Sequence, residues 1–111
     1  MSNIPQVDGV YFTVKHIVLI QAKAEAETTI GMNLKAGAKY TLLSSTLGVN
    51  EKIVGEVYDP SRSVWQPWYH QGYEVKLTQN NEQWFLDGVS SFVRFIKSST
   101  SQPVGLTLLY A

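Results

Sequence analysis

The chain reads as an all-β protein, an antiparallel β-sandwich of about eight or nine strands and Greek-key type. Three observations predict this. Apolar residues recur with a period of two along most of the chain, and β-branched and aromatic residues fill the apolar runs. Short turn-forming clusters separate those runs at regular intervals. The chain has 111 residues, so a second core would leave each half too small to bury enough apolar surface. One domain over 1–111 is expected, led by a flexible stretch over residues 1–8.

The first strand spans Val10 to Ile20, where Val10, Phe12, Val14, His16, Val18 and Ile20 share one face. His16 is therefore expected inside, as a satisfied core histidine. Ala22 to Glu27 alternates Ala with Lys or Glu and is expected to form a loop with at most one helical turn, which Thr28, Thr29 and Gly31 end. Period two returns at Ile30, Met32 and Leu34, again at Tyr40 and Leu42, and again over Ile53 to Tyr58, with Gly37, Gly48 and Asn50 as punctuation. Asp59-Pro60-Ser61 is a strong turn signal, because Asp bonds its own backbone and Pro presets φ. Beyond it, Tyr73, Val75 and Leu77 are expected inside and Glu74 and Lys76 outside. Gln83 to Leu86, Val89 to Lys97 and Val104 to Tyr110 complete the strands, with Asp87-Gly88 as a tight turn.

Composition bounds the function classes. There are no cysteines, which removes disulfides, thiolate metal sites and cysteine nucleophiles, so the fold stands on packing by three Trp, six Tyr, four Phe and the aliphatic residues. Nine basic residues balance nine acidic ones, so no long-range positive field gathers phosphates, and nucleic acid is not an expected partner. The longest apolar run, Val10 to Ile20, is interrupted by Lys15 and His16 and is too short to span a membrane as a helix. The first residues lack a basic stretch followed by an apolar run, and a cytoplasmic location is the expectation.

Two stretches can be overlaid, Gly37 to Val57 and Gly72 to Val93. In each, Gly is followed five residues later by Leu (Leu42, Leu77), then by a polar turn and an acidic tetrapeptide that leads into a strand. Over about half of the chain this pattern resembles the βγ-crystallin family, the closing segments being Asn50-Glu51-Lys52-Ile53-Val54-Gly55 and Leu86-Asp87-Gly88-Val89-Ser90-Ser91. The resemblance implies paired Greek-key motifs and a Ca²⁺ site built from carboxylate and carbonyl oxygens, with Asn50, Glu51, Asp87, Ser90 and Ser91 as its residues. A purely structural role is the other implication. Without the resemblance, Asp87-Gly88 and Asn50-Glu51 read as plain turns.

The densest unusual segment runs from Ser63 to Tyr73 and holds Trp65, Gln66, Trp68, Tyr69, His70 and Tyr73. Aromatic faces stack on the C–H surface of sugar rings while amides and imidazole bond hydroxyls, so the segment suits a carbohydrate or similar polar ligand. Trp and Tyr are equally typical of protein interfaces, and burial of both tryptophans in the core is the structural alternative. Catalysis is not expected. His16 and His70 show no ligand spacing, and neither a nucleophile elbow nor a phosphate-binding glycine loop occurs. The sequence thus points to a non-enzymatic, lectin-like binding protein that needs no cofactor. The alternatives are a crystallin-like domain and a homo-oligomer that assembles through exposed strands such as Val104 to Tyr110.

Overall fold

A computed structural model describes residues 15–87 and 91–110, together with the backbone of residues 6–7 and 10–11. In chain order the strands are β1 (Gln6–Val7), β2 (Val10–Tyr11), β3 (Lys15–Lys23), β4 (Glu27–Thr28), β5 (Met32–Leu34), β6 (Lys39–Ser44) and β7 (Lys52–Asp59). There follow β8 (Val64–Pro67), β9 (Tyr69–His70), β10 (Tyr73–Glu74), β11 (Lys76–Thr78), β12 (Gln83–Asp87), β13 (Ser91–Lys97) and β14 (Val104–Tyr110). All pairings are antiparallel. Strand segments exceed the expected number partly because single residues interrupt some runs, Trp68 between β8 and β9 and Val75 between β10 and β11. The flexible lead expected over residues 1–8 falls outside the described residues except at β1.

Ten of these strands make two sheets. The four-stranded sheet has the order β12-β6-β14-β3, and the six-stranded sheet runs β11-β7-β13-β4, with β5 also on β13 and β8 also on β7. Period two turns one face of each sheet inward. From the smaller sheet come Ile20, Leu42, Leu86, Val104, Leu106 and Leu108, and from the larger Leu34, Ile53, Leu77, Val93 and Phe95. Together they form one core, which makes the arrangement sandwich-like. Val75 and Leu77 are buried as the alternation requires. Tyr73 is not: it is 72% exposed, because β9 and β10 form a separate two-stranded hairpin whose tip carries it beyond the sheets.

His16 is also a correction. It lies opposite Leu109 on the outer face and is exposed, as is Val18 opposite Thr107. The reason is a register slip. Val18 pairs with Thr107 and Ile20 with Leu106, so Leu19 is an extra residue in β3, and the even-numbered phase passes from the outer face to the inner one there. A second slip follows between Ile20 and Lys23, opposite Gly105. A Cβ on Gly105 would stand 2.8 Å from the Ile20 carbonyl oxygen, so the close approach of the two backbones requires glycine. Ala22 to Glu27 forms no helical turn; β3 runs on to Lys23 and a bend leads to β4.

Gly37 and Gly72 share a left-handed backbone, with φ of 82° and 87°, but not a setting. Gly37 sits where the chain crosses from β5 in the larger sheet to β6 in the smaller, whereas Gly72 lies in the two-residue loop that closes the β9–β10 hairpin.

Candidate functional site

The aromatic segment divides by the same alternation that governs the strands. In β8, Trp65 pairs with Tyr58 and Pro67 with Glu56 on the outer face of the larger sheet, which turns Trp68 inward. Trp68 is only 4% exposed, and its ring lies 6.4 Å from that of Phe95. Its backbone N–H donates to the Gly55 carbonyl and its carbonyl accepts from Val75 N–H, fixing it over β7. His70 is buried beside it, with the two rings 6.3 Å apart. Gln66 is half-buried and donates to Asp59. Only Tyr69 and Tyr73, 64% and 72% exposed on the β9–β10 hairpin, face water. The six residues thus occupy core, sheet face and hairpin.

Trp65 belongs to a different cluster. Tyr58 and Phe92 approach it at 5.2 and 5.6 Å, and the Arg94 guanidinium lies 4.3 Å from its ring centroid while pairing with Glu56 at 2.7 Å. The indole is covered by a cation and two rings, so this cluster supports the outer face of the sheet.

The residues implied for Ca²⁺ are also separated. Asn50 and Glu51 precede β7 at the end of the larger sheet where Lys97 pairs with Ile53, whereas Ser91 pairs with Leu34 at the opposite end of β13. Asp87 closes β12 opposite Lys39. Ser90 lies outside the described residues. Both Glu51 oxygens already accept backbone N–H groups, Oε1 from Gly48 and Oε2 from Ser101, each at 2.7 Å. These bonds favour the ionised form and hold the carboxyl below its ordinary range. The geometry is that of a loop clasp. Among the described residues no three carboxylate or histidine side chains converge as a metal site would require.

What the sequence did not single out is a cleft of about 780 Å³ between the two sheets on the side bounded by β3 and by β4 and β5. Ile17, Leu19, Met32, Leu34, Tyr40 and Leu108 line it, with Glu27 and Lys35 among its few charged neighbours. Ile17 is 47% exposed although its strand phase points it inward opposite Leu108, and Ile30 at the lip is 86% exposed. β3 ends the sheet order, so among the described residues no strand pairs with the outer edge of this nine-residue strand along this side. β14, expected as an exposed strand, is instead central, flanked by β3 and β6. The signal available in the sequence was the apolar alternation of Ile30, Met32 and Leu34, which β5 is too short to bury completely.

No protein-family model matches this chain, and no curated protein matches it. Among solved structures, the chain is similar to that described as the crystal structure of SPBc2 prophage-derived protein YomS, at a TM-score of 0.66 and 12% sequence identity, over 88% of this chain and 92% of that one. At that identity the likeness is one of fold.

Proposed function

We propose that the protein is a non-enzymatic assembly module, a Greek-key β-sandwich that associates with further copies by adding a strand at the open side of its two sheets. The observation that carries this reading is the coincidence of an apolar cleft with an edge that no strand covers among the described residues. A strand paired to β3 would continue the smaller sheet, satisfy backbone groups along that edge, and place alternate side chains over Ile17 and Met32. An apolar opening of this kind, with Ile30 largely in water at its lip, is a liability for a protein that stays alone. Association removes that liability.

The test is the mass of the full chain in solution, by sedimentation velocity over a concentration series, for the unaltered protein and for Ile17→Asp. The unaltered chain is expected to form oligomers. The variant carries an unpaired carboxylate in the cleft and is expected to sediment as a monomer with an unchanged far-UV spectrum. An unaltered chain that remains monomeric throughout refutes the proposal. The lectin-like reading gains no support from the placement of Trp68 and His70 in the core.

A further inference from the structure

We infer that the strand received by the cleft is supplied by Val10–Val14 of a second copy, which pairs with β3 and seats Val10, Phe12 and Val14 between the sheets. This rests on the assembly reading and identifies its partner.

Complementarity of pattern is the first support. Val10, Phe12 and Val14 share one face in period two, with Tyr11 and Thr13 on the other, so a strand of these residues has one wholly apolar face to set against an apolar cleft. Asp8 is the only charged side chain ahead of Lys15, and the cleft lining carries one charge of each sign, Glu27 and Lys35, so the match is chiefly apolar.

The pairing of the first two strands is the second. β1 and β2 pair with each other, Val7 opposite Val10 across Asp8-Gly9, and among the described residues with neither large sheet. A lone two-stranded hairpin is marginal in water and needs a surface to pack on.

Direction favours a neighbour over the chain's own cleft. Val10–Val14 contains no Gly, Pro, Asn or Asp, so the chain entering β3 has no turn residue with which to double back beside its own β3. Extended, the five residues Val10–Val14 reach about 17 Å beyond the start of β3.

The absence of native cysteine permits a clean test. Phe12→Cys in ordinary isotopes and Ile30→Cys labelled with ¹⁵N are co-refolded as full-length chains, oxidised mildly and weighed without reduction. A linked pair of mixed isotopic mass is expected, and Val64→Cys, on β8 at the opposite edge of the larger sheet, is expected to give several-fold less when it replaces Ile30→Cys. If the doubly substituted chain instead forms its disulfide within one monomer, the segment fills its own cleft and the inference fails. No link in a chain that is nonetheless oligomeric overturns the inference and leaves the assembly reading standing. A monomeric unaltered chain overturns both.

Discussion

Replacing Trp68 by alanine separates a structural from a ligand-binding role for the aromatic segment. Trp68 is 4% exposed, so nearly all of its side chain leaves water on folding. About 200 Å² of buried indole at about 25 cal/mol per Å² corresponds to about 5 kcal/mol. Compactness of the unfolded chain lowers that by roughly a fifth, while the cavity left beside Phe95 adds to it. The expected loss is therefore about 4–5 kcal/mol, a large share of the roughly 5–15 kcal/mol that holds a domain of this size together. Urea unfolding followed by far-UV circular dichroism measures it, and Tyr69→Ala and Tyr73→Ala are the internal comparison. Those side chains are 64% and 72% exposed, and their removal is expected to change stability by about 0.5 kcal/mol or less. If Trp68→Ala falls within about 1 kcal/mol of Tyr69→Ala, the indole is not part of the core and the reasoning is wrong.

Gly105→Ala sets a Cβ against the Ile20 carbonyl oxygen at 2.8 Å, and since backbone cannot step aside as a side chain does, a loss of about 1–3 kcal/mol is expected in the same unfolding assay. Lys97 is fully buried, with its ammonium donating to the Glu25 carbonyl at 2.7 Å, and burial pushes its pKa below the ordinary lysine range. Between the folded and unfolded values the unfolded chain binds the extra proton, so the stability of the native protein relative to Lys97→Met should rise with pH toward about 10.4, and a flat difference in urea midpoints would contradict this. Asp59 accepts from Ser61 and Arg62, which hold its carboxyl at about 2. Its contribution is present above the ordinary aspartate value and disappears as pH falls toward about 2, so Asp59→Asn should flatten the acid limb of the stability profile.

Much of the fold was legible because period two is a local property. The buried pair Val75 and Leu77 and the strand character of Ile53 to Tyr58 follow from it, and the Asp59-Pro60 turn follows from equally local turn chemistry. Trp68 follows too once the alternation of β8 is carried through Pro67. His16 could not be placed that way, because the extra residue at Leu19 is defined only by its partner strand, and nothing in Ile17-Val18-Leu19-Ile20 marks which residue is unpaired. The cleft was illegible for a related reason. Ile17, Met32 and Leu108 lie far apart in the chain and are neighbours only because β3 and β5 lie along the same open side. The spread of the proposed Ca²⁺ residues has the same origin, since resemblance in local motif says nothing of which ends of strands the sheet order brings together.

The two irregularities in β3 bear on how far association can proceed. Each breaks the spacing of N–H and C=O groups along the outer edge, so an incoming strand finds an uninterrupted ladder only over Lys15 to Val18, and beyond Leu19 its register is lost. Lysines at both ends of the strand, Lys15 and Lys23, add charge where a second β-edge would have to lie flat. On the proposed association, the edge is thus shaped to accept one short strand per subunit and to refuse the continuation of a single sheet through many copies.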